Sequence, residues 1–336
     1  MPEPTGTTDD WGRADVSAAR RWFRRALRPV EDRYGVVMGR RHQRAAQAGW
    51  SELALTDEVV EAASATAPPT SDSEAPIFVL AATWRSGSTL LQRLLLSSGD
   101  VMMWGEPWNR CDLVPRLRES LRPLDDAWPA PGNVVDELEA GDRLDGSALH
   151  ELMVPDLYPE RVDLLASHRA LFDRLYADPA AARGYGRWGL KETRLSADDA
   201  RYLHALYPNA RVVFVHRDPY ASWSSYVALR AQGYSRWPDE PIVSPRDFGL
   251  LWADRVAGYL DYPSELPHMV VRYESLVEDP TVLTELGAFC GLEPDSSTLD
   301  RKVGRSHGAR LPSSSAARIE KAVGSLAIDL GYPLPT

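Results

Sequence analysis

Residues 76–97 read PIFVLAATWRSGSTLLQRLLLS, and this stretch decides the fold. Its first apolar run, Ile77 to Ala82, reads as a strand. A small polar turn carrying one cation follows, Arg85-Ser86-Gly87-Ser88-Thr89. A second apolar run, Leu90 to Leu96, has helical spacing and predicts a helix over Ser88–Ser98. A strand that enters a helix through such a turn points backbone N–H groups and a helix N-terminus at one spot, where an anion, usually a phosphate, binds. Gly87 permits close backbone approach, and Ser88 and Thr89 add hydroxyls beside the first free N–H groups. Arg85 can fork two hydrogen bonds onto phosphate oxygens. The plainer alternative is a capped helix start that binds nothing.

The turn departs from the Walker pattern G-x-x-x-x-G-K-[ST]. With Gly87 as the second glycine, Ser88 falls where the lysine belongs and Ala82 where the first glycine belongs. The cation, Arg85, precedes the glycine instead.

The chain of 336 residues is long enough for one large α/β domain with an appendage. Its composition, 44% hydrophobic and 26% charged, is that of a soluble protein, with no apolar run long enough to span a membrane. No secretory signal is visible after Met1. The two cysteines, Cys111 and Cys290, have no neighbours at metal-ligand spacing, so neither structural zinc nor a disulfide framework is expected and a cytoplasmic setting is. A net charge of −10 argues against a nucleic-acid partner but not against a small polyanion held by a local cation cluster. A homo-oligomer is compatible with all of this.

Residues 1–63 read as a helical extension, in which Trp22, Phe23, Leu27 and Val30 fall near one side of a helix over Ala18–Val30. Residues 64–75, rich in Pro, Ser and Thr, read as a linker, and 76–336 as the main domain. Strands are expected at Ile77–Ala82, Val101–Trp104, Trp188–Leu190, Val212–His216 and Met269–Arg272. Helices are expected at Ser88–Ser98, Ser196–Leu206, Tyr220–Ala231, Pro245–Tyr259, Thr281–Cys290 and Ser315–Leu330. Such alternation predicts an α/β fold: a P-loop-like, mainly parallel sheet flanked by helices.

Two further segments carry chemistry. Residues 212–226 read VVFVHRDPYASWSSY. Arg217 stands at the carboxyl end of a strand, where ligands gather in open α/β sheets, and Asp218-Pro219 opens a helix. Ser222 and Ser225 share a helix face, so Arg217 and one serine could grip a phosphate; alternatively Arg217 pairs with Asp218 and the serines only cap. Residues 270–280 read VVRYESLVEDP, a strand followed by Arg272-Tyr273-Glu274.

In this order the three segments resemble the PAPS-dependent sulfotransferase family, over roughly residues 76–290. RSGST resembles the family's 5′-phosphosulfate loop. Arg217 and Ser225, eight residues apart, resemble its 3′-phosphate site, and RYESLVEDP resembles its RYEDL segment. The resemblance implies the sulfotransferase fold and, as co-substrate, 3′-phosphoadenosine 5′-phosphosulfate (PAPS), with no metal ion. Arg85, Ser86, Gly87, Ser88 and Thr89 would hold the 5′-phosphosulfate, Arg217 and Ser225 the 3′-phosphate, and Tyr273 would lie near the adenine. Where the cytosolic branch has a catalytic histidine, Met103-Trp104-Gly105-Glu106-Pro107-Trp108 offers Glu106. This resembles the branch with a glutamate base, found in tyrosylprotein and several bacterial small-molecule sulfotransferases. Trp104 and Trp108 would partly desolvate Glu106; alternatively it pairs with Arg85 or Lys191. Lys191, in Trp188-Gly189-Leu190-Lys191-Glu192-Thr193, resembles the lysine that contacts the bridging oxygen, and with Arg85 it would stabilise the leaving charge. The family's basic C-terminal loop has its nearest counterpart in Arg301, Lys302 and Arg305.

The expected function is thus sulfuryl transfer from PAPS to a hydroxyl of a small-molecule acceptor, releasing PAP. Trp104, Trp108, Trp223, Tyr226 and Trp237 hint at an apolar or aromatic acceptor. One competing reading is a P-loop nucleotide kinase or NTPase, weakened by the missing G-K-[ST] and the lack of an acidic metal ligand at a strand end. Another is a nucleotide-binding partner module without catalysis, against which the Glu106/Lys191 pair counts.

Overall fold

The computed structural model describes residues 74–106, 112–121, 161–230, 242, 244–300 and 311–332. The N-terminal extension, all but the end of the linker, Trp108, Cys111, Trp237, and Arg301, Lys302 and Arg305 lie outside the described residues.

In chain order the elements that build the site are β1 (Ile77–Ala81), α1 (Ser88–Ser97), β2 (Val101–Trp104), α2 (Leu113–Ser120), α3 (Arg161–Phe172), β3 (Arg187–Thr193), α4 (Ala197–Leu206), β4 (Arg211–His216), α5 (Pro219–Arg230), α6 (Pro245–Leu260), β5 (His268–Arg272), α7 (Tyr273–Glu278), α8 (Pro280–Cys290), α9 (Ser313–Val323) and α10 (Leu326–Asp329). α3 widens into a π turn at Asp173–Ala177 before a last helical turn, Asp178–Ala181.

The strands form one parallel sheet in the order β2-β3-β1-β4-β5. β1 lies at its centre, and every residue of β1 is buried. Ile77, Val79 and Ala81 pack on one face with Leu90, Leu91, Leu94 and Leu95 of α1 and with Leu283 and Leu286 of α8. Phe78 and Leu80 pack on the other face with Trp188, Leu190, Phe214 and the aromatic residues of α6. Burial of each of these four α1 leucines stabilises the fold by about 1.5–3 kcal/mol, so this helix is pinned to the sheet and its N-terminus is held at the end of β1.

Helix boundaries follow local chemistry. Ser196 and Asp199 form a reciprocal capping box at the start of α4. Asp279 caps α8, Pro280 opens it, and Gly291, with φ 62°, closes it. Two expectations change. The single helix expected over Ser315–Leu330 is broken at Gly324, whose φ of 58° and ψ of −142° end α9 before α10 begins. β3 is longer than its apolar centre, because charged Arg187, Lys191 and Glu192 all lie in a fully buried strand. Gly189 at its middle leaves no room for a side chain: a Cβ there would overlap the Ile77 carbonyl oxygen and the Met103 sulfur.

Candidate active site

The parallel sheet brings the carboxyl ends of all its strands to one edge, with the β1–α1 turn in the middle. Within the turn, Ser86 is fully buried, and its hydroxyl donates to the Thr83 carbonyl at 2.8 Å and meets the Thr83 hydroxyl at 3.0 Å. Its side chain therefore braces the turn, and its backbone is what it can offer a ligand. Arg85 and Gly87 both adopt positive φ, 67° and 91°. The two left-handed residues reverse the chain sharply enough to present the start of α1. No side chain caps that helix and no acid occupies its first turn, so its N–H groups are left for an anion.

On the β4/β5 side of the turn, Arg85 Nε donates to Ser225 Oγ at 2.9 Å. Arg217 Nη1 donates to the Arg85 carbonyl at 3.2 Å, and its guanidinium lies 4.6 Å from the Tyr273 ring centre. The Tyr273 ring in turn covers Gly87, where a Cβ would overlap it. Asp218 does not neutralise Arg217. Its Oδ1 caps α5, accepting from the Tyr220 and Ala221 N–H groups at 2.7 and 3.1 Å. Among the described residues Glu274 faces Arg217, at 4.0 Å. Arg85, Arg217, Ser225, Tyr273 and Gly87 thus form one cluster from three segments of chain.

On the β3/β2 side, Lys191 Nζ donates to Glu106 Oε1 at 2.5 Å. Lys191 is buried and Glu106 is 26% exposed, so the carboxylate is the member of the pair open to a second molecule. The register of β3 against β1 sets Lys191 beside Val79 and Glu192 beside Leu80, so the two side chains leave opposite faces of the strand. The Trp104 indole N–H donates to the Tyr176 carbonyl at 3.3 Å. Of the partners that sequence reading offered Glu106, the structure places Lys191 against it.

A family model described as the sulfotransferase family matches residues 76–296. This chain belongs to the sulfotransferase family.

Among solved structures, the sulfotransferase domain from the curacin biosynthetic pathway is 19% identical, with a TM-score of 0.44 over 78% of this chain and 99% of that one. The sulfotransferase domain of the Synechococcus PCC 7002 olefin synthase is 20% identical, with a TM-score of 0.40 over 80% and 98%. Mouse sulfotransferase SULT7A1 complexed with PAP is 12% identical, with a TM-score of 0.34 over 82% and 71%. No curated protein matched the chain.

In this sulfotransferase the residues expected from sequence to act together fall into two groups flanking the RSGST turn. Arg85, expected to hold the 5′-phosphosulfate and stabilise the leaving charge, joins the turn to the Arg217 side through its bond to Ser225. Trp223 and Tyr226 do not offer themselves to an acceptor: they are 4% and 3% exposed and pack on Phe248 of α6. Sequence reading missed Glu192, a 6%-exposed carboxyl next to Lys191. Burial pushes its pKa well above the usual carboxylate range, and the Glu106 charge adds to the shift. An acid directly after a strand-end lysine was the available signal. Glu274 was missed as a partner of Arg217; its place directly after Tyr273 was the clue. Among the described residues no helix is long and apolar enough to cross a membrane.

Proposed function

We propose that this sulfotransferase takes its sulfuryl group from PAPS and passes it to a hydroxyl of a small-molecule acceptor, with Glu106 as general base. The observation that carries the reading is the contact of Lys191 with Glu106 beside an uncapped anion-binding turn. The residues fit the donor in two further ways. Arg217 Nε is buried and makes no hydrogen bond among the described residues, which suits a guanidinium waiting for a phosphate oxygen. The Tyr273 ring over Gly87 makes an aromatic wall beside the turn, suited to an adenine.

Bound PAPS supplies a sulfuryl group activated by a phosphate leaving group. The turn's N–H groups, with Arg85, hold the 5′-phosphosulfate. Arg217 and Ser225 hold the 3′-phosphate; Arg301, Lys302 and Arg305 lie outside the described residues and are assigned to the nucleotide by the sequence resemblance alone. Lys191 can pair either with Glu106 or with the donor's anionic oxygens. When it moves to the donor it stabilises the charge that gathers on the bridging oxygen. Glu106 then accepts the acceptor's hydroxyl proton as the new S–O bond forms and PAP departs. Glu106 is the partly exposed member of the pair, as a group that must meet varied acceptors has to be.

The test is PAP release measured over a panel of phenols, aliphatic alcohols, sugars and lipids, followed by Glu106→Gln with the best acceptor. The variant is expected to bind PAP as the native protein does while turnover falls by about 10²–10⁴-fold, the usual contribution of a positioned base. Turnover close to native would remove Glu106 from that role.

A further inference from the structure

Tyr332 lies beyond α10, far in sequence from the turn, yet it is 1% exposed. Its hydroxyl sits 3.1 Å from Glu274 Oε2 and 2.9 Å from His216 Nδ1. A carboxylate can only accept, so the tyrosine proton goes to Glu274, and His216 must donate its Nδ1–H to the tyrosine oxygen. That assignment needs a neutral imidazole, and burial holds His216 down at a pKa of about 4. Arg272 completes the anchor: its guanidinium stacks 4.6 Å from the Tyr332 ring centre, and its Nη2 donates to the Gly331 carbonyl at 3.2 Å. Arg272 Nε also lies 3.6 Å from Glu274 Oε2.

The other oxygen of Glu274 faces the donor site. Oε1 accepts from the Asp218 N–H at 3.1 Å and stands 4.0 Å from Arg217 Nε, too far for a hydrogen bond. Glu274 is therefore held at both ends, just short of Arg217. A carboxylate that closed the gap would form a full ion pair in a half-buried place. An incoming phosphate would then have to break that pair before binding.

We propose that Tyr332 is a positioning residue for recognition of the donor's 3′-phosphate: it tethers Glu274 so that the Arg217 guanidinium stays aligned but open to the phosphate. This rests on the PAPS reading above. The strut links Tyr332 to β4, β5 and α7 at a cation expected to distinguish a 3′-phosphorylated nucleotide from one that lacks it. Removing the hydroxyl takes away the hydrogen bond to Glu274 Oε2 and leaves only the looser 3.6 Å approach of Arg272 Nε, so the side chain turns toward Arg217. A neutral amide at position 274 would not compete with phosphate in this way.

The experiment is calorimetry with PAP and with 5′-AMP on the native protein, Tyr332→Phe, Glu274→Gln and the double variant. Y332F is expected to weaken PAP by about five- to tenfold while 5′-AMP changes by less than about twofold, the scale of one charged hydrogen bond acting at one remove. With PAPS as donor, KM should rise by the same factor and kcat should stay unchanged. The double variant should recover native PAP affinity. Equal loss of both nucleotides, no loss of either, or a double variant as weak as Y332F overturns the proposal and leaves the donor reading standing. Native protein that binds PAP no better than 5′-AMP overturns both. If Y332F does not fold, E274Q carries the test alone: PAP affinity at or above native supports the tether, and a loss beyond about fivefold overturns it.

Discussion

Gly87→Ala is the perturbation that most directly probes how the turn and the nucleotide site depend on each other. Two costs can be worked from the structure. Gly87 sits at φ 91°, where an L side chain costs about 1–2 kcal/mol. The new methyl would also overlap the Tyr273 ring, which must move and give up its stack with Arg217, at 4.6 Å from ring centre to guanidinium. Such a cation–π contact is worth about 1 kcal/mol in a partly exposed place. Together the loss is about 2–3 kcal/mol, which for a domain of this size lowers Tm by about 5–10 °C. Thermal unfolding reads that term. Calorimetry with PAP reads the second consequence, an affinity lower by about tenfold as Arg217 loses its aromatic support. Tyr273→Ala separates the contributions: in that background Gly87→Ala should cost only the backbone part, so the double variant loses less than the sum of the singles. A G87A protein with native Tm and native PAP affinity would refute the reasoning, because it would mean the ring does not rest on the glycine.

Two predictions concern pH. His204 and His216 are buried and neutral, each with its pKa lowered to about 4 from 6.5. Because the unfolded chain takes up these protons first, stability should fall as pH drops from 6.5 toward 4, by roughly 2 kcal/mol per histidine at pH 5; denaturant unfolding across that range checks it, and a flat profile would count against the buried neutral state. Glu192 behaves in the opposite sense. Its pKa is raised by burial, so the folded state keeps the proton longer and stability should decline as pH climbs above 4.5. Glu192→Gln should therefore raise Tm at neutral and alkaline pH and leave it unchanged in acid, and a variant less stable than native at pH 8 would show that the ionised carboxylate is held by contacts that stabilise it.

Much of the site is legible before folding because it depends on short-range chemistry. RSGST announces its strand, turn and helix through apolar runs on either side, and Asp218-Pro219 and Asp279-Pro280 announce helix starts through capping. What sequence left undecided is which partner each charge takes. Arg217 is one residue from Asp218 yet is faced by Glu274, because Asp218 is used up capping α5. Ser86 and Ser88 look alike in the chain, but one hydroxyl is turned into the loop. Sequence left Glu106 between aromatic desolvation and pairing with Arg85 or Lys191, and its carboxylate meets Lys191 from another strand. The Glu274 and Lys191 pairings turn on distances between residues dozens of positions apart, which no local pattern encodes, whereas Ser86 turns to Thr83 three residues back.

The sequence by itself determined the α/β alternation, the strand–turn–helix at RSGST and the identity of the groups at the strand ends, because periodicity, capping and glycine act within a few residues. Tertiary structure decided the rest through the strand order β2-β3-β1-β4-β5. That order puts the RSGST turn between the Lys191–Glu106 pair on one flank and Arg217, Ser225 and Tyr273 on the other. It also brings Tyr332 to Glu274, across 58 residues of chain. Only the packing of helices on a shared sheet can choose those neighbours, since each contact lowers the free energy only after the chain has closed on itself.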